Sequence, residues 1–358
     1  MELDNIHIDF SSIDGYQKTF NYVISPREDG KSTTFIVKKS WRKFLNGYFS
    51  TIIYVRDVNE ITDALIFTYT DIINKFRDLK TTKEVIPLYA KSDMKTGYVV
   101  VTDKESSEVL FAFIALGAKV DKLKKIKFRR PAYSLVDEFI INPQFGGKYL
   151  KGEPGRFKEL YNTYRRENPD MKCYFLGNPY TLYNPYFVDM GLNPLRLKKG
   201  VIWTNSNSAV WRKGLSQPLY EKMLKENPLY NEDGVYKRYA LMGDNIQDER
   251  LRITETLPSG YYLDMLIYIE GKTYGIYQNG DYLDFDNRFW VGVMDESRIS
   301  KRRAVYAFDF KDMAEKTILY SREEKNKFSR LRMAMRNNAV EYQTIEAAYT
   351  LEEIYAVL

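Results

Sequence analysis

Between Phe20 and Ser32 the chain reads FNYVISPREDGKS, and three of these residues suit a phosphate chain. Gly30 permits a tight turn, Lys31 carries a charge that reaches β- and γ-phosphates, and the Ser32 hydroxyl is a ligand for Mg²⁺. The apolar run Tyr22-Val23-Ile24 is predicted as a short buried strand, and Lys31-Ser32 opens an apolar-periodic segment ending near Phe44. Strand, polar turn, Gly-Lys-Ser and helix are the context a P-loop requires. N–H groups at a helix start point at phosphate oxygens, and the helix dipole favours negative charge there. Ser25, Arg27 and Asp29 belong to the turn, and Thr33 follows the serine. Ser25 stands where a first glycine is expected, and a left-handed backbone at that point would cost about 1–2 kcal/mol. A plain strand–turn–helix connection also accounts for these residues.

About a hundred residues further on, Ala132-Tyr133-Ser134-Leu135-Val136-Asp137-Glu138-Phe139 is a mostly apolar strand with an acidic tip. An Asp at such a tip, here Asp137, holds Mg²⁺, usually through water. Glu138 beside it faces an attacking water as general base. An apolar run followed by Asp-Glu is common; after GKS it supplies the second half of an ATPase site. Arg56 ends the predicted strand Tyr48–Val55, and ligands of open α/β sheets bind outside the carboxyl ends of strands. Its other reading is a surface arginine. The strand Lys172–Leu176 is closed by Gly177-Asn178, which puts Asn178 where a polar side chain senses a γ-phosphate.

The elements that must position these groups fill 358 residues, enough for about two domains. Apolar content of 44% is normal for a protein with real cores, and no long span is biased towards disorder. The net charge of +6 is compatible with a polyanionic partner without demanding one. Thirty tyrosines, interleaved with Lys and Arg, can stack bases, though half-buried strand positions also explain them. His7 is the only histidine, which removes His-based triads and multi-His metal sites. Cys173 is the only cysteine, so no intrachain disulfide forms and a reducing compartment fits. No apolar run is long enough for a membrane span and MELDNIHIDF is no signal peptide, so a soluble cytosolic protein is expected.

In chain order, Tyr16 and Gln17 precede the first strand, placed either to touch a base or to pack as a turn. Helical spacing runs from Ile61 to Leu79, and Tyr98–Thr102 with Val109–Ala115 read as a hairpin. Lys119 to Arg130, KVDKLKKIKFRR, is the densest basic run, either a solvated face or a reach to a neighbour or polyanion. Pro154 to Glu167 is a predicted helix ending in Arg165 and Arg166. Val201–Thr204 is expected as the last strand of the sheet, and Leu215–Leu229 as part of a helical connector. From about Arg250 the pattern turns to β: Tyr261–Ile269, Thr273–Gln278 and Tyr282–Phe285, separated by Glu270-Gly271 and Asn279-Gly280, then Phe289–Met294 and Ala304–Phe308, with the Asn-Gly pair a hairpin signal. Helices are predicted at Glu323–Met335 and Leu351–Leu358.

VISPREDGKS, IIYVR, SLVDEFI, the helix ending NTYRREN and KCYFLGNPYTLYNPYF, in this order, resemble the DNA-packaging ATPases of small tailed phages, the phi-twenty-nine-like encapsidation motors. The similarity covers most of residues 20–190, weakens afterwards and returns around YGIYQNGDYLDFD. The resemblance implies an α/β P-loop ATPase domain of the additional-strand, catalytic-glutamate type at 1–207, a helical connector at 208–249, and a smaller α+β RNase H-like domain at 250–358 without nuclease activity. It implies ATP and Mg²⁺ as cofactors, and a homopentameric ring that drives double-stranded DNA through the portal of an empty prohead. The implied location is the host cytoplasm, with a transient place at the portal vertex. Position by position, Lys31 and Ser32 match the Walker A pair and Arg27 the arginine within that loop. Asp137 and Glu138 match the Walker B pair and Asn178 the strand-tip sensor. Arg166 aligns with the finger that acts on the neighbouring subunit, with Arg165 one residue of slip away. Lys124 aligns with a second trans-acting cation. Ser25 and Pro26 depart from the small residues of the family's loop.

Two other functions fit parts of the chain. Asp264, Asp281, Asp284 and Asp286 could gather metals for nuclease chemistry, or simply cap hairpins and strand ends. A basic, Tyr-rich nucleic-acid-binding or structural protein with a degenerate P-loop is the non-enzymatic alternative.

Overall fold

Among the described residues nine strands make one sheet: β1 (Phe20–Ile24), β2 (Phe49–Val55), β3 (Leu88–Asp93), β4 (Tyr98–Asp103), β5 (Val109–Ala115), β6 (Pro131–Asp137), β7 (Lys172–Gly177), β8 (Ile202–Thr204) and β9 (Ser208–Arg212). The computed structural model describes residues 7–76, 88–93, 97–103, 107–142, 148–182, 184–192, 197–230, 237–242, 252–269, 271–281, 288–295, 304–309, 312–313, 317–321, 326–337 and 339–355. The order across the sheet is β3-β4-β5-β2-β6-β7-β1-β9-β8. The strands from β5 through to β9 are mutually parallel, and antiparallel pairing adds β4 and β3 at one edge and β8 at the other. Parallel strands are covered on both faces, so they read as unbroken apolar runs. β5 is buried from Leu110 to Ala115 and β7 from Cys173 to Gly177.

The helices of the same unit include α1 (Ser11–Asp14), α2 (Lys31–Phe35), α3 (Arg42–Leu45), α4 (Asp63–Phe76), α5 (Val120–Leu123) and α6 (Glu153–Tyr164). The expected helix from Lys31 to Phe44 is present, but its middle, Ile36–Trp41, is a π turn. Its apolar side, Phe35 and Ile36, is fully buried, and the Phe35 ring meets Phe10, Tyr133 and Tyr174. Lys39, on the π turn, pairs with Asp14 and lies over the Tyr174 ring, tying α1 to the P-loop helix. α4 turns Tyr69 and Ile73 inwards, and Tyr69 packs edge-on against Phe113. Burying side chains of this size contributes about 1.5–3 kcal/mol each.

β7 lies between β1 and β6, with Ile24 opposite Gly177 and Asp137 opposite Leu176. The loop after β1, the tip of β6 and Asn178 therefore emerge from one edge of the sheet. Tyr16 and Gln17 do not: they precede the amino end of β1, where Lys172 Nζ donates to Gln17 Oε1 at 3.0 Å. They belong to a turn at the opposite edge of the sheet from the loop after β1.

Val201–Thr204 is not the last strand. It forms the edge strand β8, and β9 inserts between it and β1. The stretch expected as a helical connector from 208 thus begins with a buried strand, Ser208-Ala209-Val210-Trp211, before helix Gln217–Glu226. The polar flanks Asn205-Ser206-Asn207 and Arg212-Lys213-Gly214 conceal this short run. By internal contacts the first unit is Met1–Leu182 with Leu195–Ile246, and the second is Tyr183–Pro194 with Gln247–Leu358. The predicted short helix after Asn184 is present as Pro185–Asp189, capped by the Asn184 side chain.

The second unit holds a sheet of order β10-β16-β13-β12-β11-β14-β15, made of Arg252–Ile253, Val340–Tyr342, Phe289–Val293, Lys272–Asn279, Tyr261–Ile269, Val305–Ala307 and Thr317–Leu319 respectively. β11, β12 and β13 form an antiparallel meander, and β14 and β15 continue it in parallel. Helices Ser329–Arg336 and Ile345–Tyr355 bury Leu331, Ala334, Ala348 and Leu351 against Ile267, Ile276 and Val291. Ile269 pairs with Lys272, so the connection between β11 and β12 is tight, and Gly271 has φ +82°. At Asn279-Gly280 the connection is longer, since Gln278 pairs with Phe289. The predicted strand Tyr282–Phe285 lies outside the described residues.

Candidate active site

The loop after β1 resolves the concern over Ser25. Ser25 is not among the residues with positive φ; the left-handed turn falls on Gly30, φ +69°, which N-caps α2. A Cβ on Gly30 would lie 2.8 Å from His7 Cδ2, so a second reason for glycine is the close approach of the chain's only histidine. Ile8 N–H donates to the Asp29 carbonyl at 3.1 Å and fastens that segment to the loop.

Lys31 is buried in the cradle. Its Nζ donates to the Ser25 carbonyl (2.9 Å), the Pro26 carbonyl (2.9 Å) and Asn178 Oδ1 (3.0 Å). Burial pushes its pKa down to about 8, against the pull of Asp29, Asp137 and Glu138. The loop and the acid-tipped strand thus share one field. They also share one cleft, about 220 Å³, lined by Arg27, Gly30, Lys31, Ser32, Thr33, Asp137, Glu138, Gly177 and Asn178 among others. Asp29 does not line it: its carboxylate is fully buried and accepts from Lys213 Nζ at 2.6 Å.

Asp137 ends β6, and its Oδ2 accepts from the Tyr69 hydroxyl at 2.9 Å. Its Oδ1 accepts the Glu138 N–H at 3.1 Å. Glu138 has left the strand and takes φ +53°, a conformation costly for a residue with a Cβ. Partial desolvation, then the Asp137 charge, raise its carboxyl above the ordinary range, and Arg27, Lys31 and Arg56 oppose that shift. Arg56 comes to the site by its neighbours rather than by the cleft. Its guanidinium donates to the Glu138 carbonyl (3.2 Å), the Phe139 carbonyl (2.9 Å) and Glu153 Oε2 (3.1 Å). Glu153 is fully buried at the start of α6. Arg56 is thereby a brace under the strained turn, and it lines a second cleft of about 590 Å³ that Ser32, Asp137 and Glu138 also border.

Arg165 and Arg166 are not brought to this cleft. They lie exposed on the turn that ends α6, and Asn168 Nδ2 just beyond donates to the Pro131 carbonyl at the start of β6, the strand end opposite Asp137. Lys124 follows α5 and pairs with Glu159 of α6, so it shares that helix with the two arginines.

Four contributors escape the sequence reading: Tyr69, Glu153, Lys213 and Gly177. A Cβ on Gly177 would meet Phe139 Cε1 at 2.8 Å, so the strand tip admits only glycine beside the Glu138 turn. The one available signal is the helical period that turns Tyr69 inwards on α4; the others depend on contacts remote in sequence. In the second unit, Asp264 borders a pocket with Lys327 and Arg330, and among the described residues no three His, Cys, Asp or Glu gather to hold a metal. Asp284 and Asp286 lie outside the described residues.

A cation, a helix start with free N–H groups, a hydroxyl and two carboxylates facing one cleft fit a metal-bound polyphosphate. Known structures share this architecture. The chain superposes on the Phi-28 gp11 DNA packaging motor with a TM-score of 0.60 at 15% identity, covering 99% of this chain and 98% of that one. On a chain of the bacteriophage Phi-29 viral genome packaging motor assembly the TM-score is 0.67 at 17% identity, covering 98% and 99%. This chain has their fold. In this chain β7 lies between the loop strand β1 and the acid strand β6. No protein-family model matches the chain, and no curated protein does.

Proposed function

We propose that this protein is a phage DNA-packaging ATPase that moves viral double-stranded DNA into a preformed prohead as a ring, a pentamer in the arrangement its resemblance implies. The observation that carries this reading is the cleft in which Lys31 and Ser32 meet Asp137, Glu138 and Asn178. Lys31, the α2 N–H groups and Asn178 would hold the phosphates of ATP; Ser32 and Asp137 would hold Mg²⁺. The metal, when bound, neutralises phosphate charge. Glu138 accepts a proton from water, helped by the raised carboxyl pKa. Arg27 offers a further charge at the mouth of the cleft.

Support for a site completed in trans comes from position. Arg165, Arg166 and Lys124 lie along the second half of α6, away from their own chain's cleft. A finger from the neighbouring subunit contributes about 10³–10⁵ in rate where it has been measured in other phosphoryl-transfer systems. DNA would be held through its phosphates, so binding weakens with salt and has no sequence preference. The order β13-β12-β11-β14-β15, a meander followed by two parallel strands, supports an RNase H-like second domain. Asp264 lines one pocket together with the cations Lys327 and Arg330, which favours a non-cleaving role for that domain.

DNA-stimulated ATP hydrolysis measured against protein concentration tests the proposal. Specific activity that rises with concentration supports nucleotide sites shared between subunits. Activity that is absent, or constant on dilution and indifferent to DNA, contradicts it.

A further inference from the structure

The loop between β1 and α2 carries two acids, Glu28 and Asp29, directly before Gly30 and Lys31. Acidic side chains at a phosphate-binding helix start oppose the charge that the helix end attracts. Each acid is met from the segment that follows β9. Lys213 Nζ donates to Asp29 Oδ1 at 2.6 Å, and the Tyr230 hydroxyl donates to Glu28 Oε1 at 3.1 Å. The Asp29 side chain is fully buried and that of Lys213 is 15% exposed. Lys213 is itself held: its N–H donates to the Ile24 carbonyl at 2.8 Å, continuing the β1–β9 pairing to the last residue before the loop. Its Nζ also donates to the Gly214 carbonyl at 3.2 Å.

We infer that Lys213 is a positioning residue for the nucleotide site: it neutralises Asp29 from outside the loop, so that Asp29 does not compete with phosphate for Lys31. The inference rests on the ATPase reading above. Breaking a buried ion pair strands the remaining charge. Without Lys213, what still favours the Asp29 charge is the Ser25 side chain and the Lys31 charge, and Asp29 is the strongest of the charges acting on that lysine. The carboxylate would then compete with the β- and γ-phosphates for the same ammonium group. Burial raises the Asp29 pKa, and the Lys213 charge is the largest effect opposing that rise. The consequence is that nucleotide affinity depends on residues beyond 207, through a strand that the motif pattern does not reveal.

The test is ATP binding by the full chain, read by displacement of a fluorescent ATP analogue and by the rise in melting temperature with ATP, alongside KM and kcat. Lys213→Met is expected to weaken ATP binding at least about tenfold, with kcat at saturating ATP less affected than KM. Lys213→Arg retains most of the affinity. Asp29→Asn in the Lys213→Met background removes the competing charge and restores binding to within about threefold of wild type. A purely structural role would lower the active fraction and would not be rescued by Asp29→Asn. Should Lys213→Met not fold, Asp29→Asn alone decides: it binds ATP at least as tightly as wild type if Asp29 is only a charge to be neutralised. Weakening of about tenfold in Asp29→Asn, unaltered affinity in Lys213→Met, or failure of the double variant to recover overturns the inference. Wild-type protein that binds no ATP overturns the ATPase reading itself.

Discussion

Tyr69→Phe removes one hydrogen-bond donor from Asp137 and little else. The hydroxyl lies 2.9 Å from Asp137 Oδ2, while the ring is held by edge contacts with Phe113 (5.4 Å) and Phe111 (6.0 Å) that phenylalanine keeps. Burial, with the Asp137 charge, raises the Tyr69 pKa well above the ordinary tyrosine value, so the donor is present at every working pH. A hydrogen bond to a charged acceptor contributes about 1.5–3 kcal/mol net. If Asp137 carries Mg²⁺, this bond orients the metal ligand, and losses of such supporting bonds cost about 10–100-fold in metal affinity or activity. The assay is a Mg²⁺ titration of ATP binding and hydrolysis with nucleotide saturating. The midpoint is expected to move up by about tenfold or more, with turnover recovering at high Mg²⁺. An unchanged midpoint, with the variant folded, would refute the role given to Tyr69 and weaken that given to Asp137.

Gly177→Ala places a Cβ 2.8 Å from the Phe139 ring, and overpacking of this kind costs about 1–3 kcal/mol; melting should fall and turnover drop as the Glu138 turn shifts, and wild-type behaviour would show that the turn tolerates movement. Lys31, with a pKa of about 8 in the nucleotide-free protein, is charged below that pH and neutral above it. Bound phosphates favour the charged form, so ATP affinity should fall about tenfold between about pH 7 and about pH 9, with proton uptake on binding at the higher pH; Lys31→Arg should flatten the profile, and a flat wild-type profile would contradict the burial argument. Mixtures of Arg166→Ala and Lys31→Ala subunits should hydrolyse ATP when neither does alone, and silence at every ratio would argue against a finger acting between subunits.

Much of the site was readable because its parts are local. Gly30, Lys31 and Ser32 are consecutive, and a strand before them with a helix after them is a pattern of adjacent residues. Asp137 and Glu138 likewise follow their own strand. What joins them is not local: β7 must lie between β1 and β6 before Asn178 reaches Lys31. Arg56 was placed correctly at a strand end, but its partner Glu153 is 97 positions away, and only the fold shows that the guanidinium braces the Glu138 turn. β9 was missed because Ser208–Arg212 is short and flanked by polar residues, and Lys213 was missed with it. In the second unit the break read at Glu270-Gly271 agrees with the pairing of Ile269 with Lys272, whereas at the Asn279-Gly280 signal the connection is longer, since Gln278 pairs with Phe289. The π turn at Ile36–Trp41 leaves no mark in the apolar period, since one inserted residue shifts the face by less than a turn.

The most direct test compares wild type with Glu138→Gln in one preparation, following ATP binding and single-turnover hydrolysis together. Wild type should bind and cleave, while the variant should bind ATP and leave it intact, because the amide keeps the turn but cannot take a proton. Cleavage by Glu138→Gln at the wild-type rate would contradict the account, as would wild-type protein with no affinity for ATP.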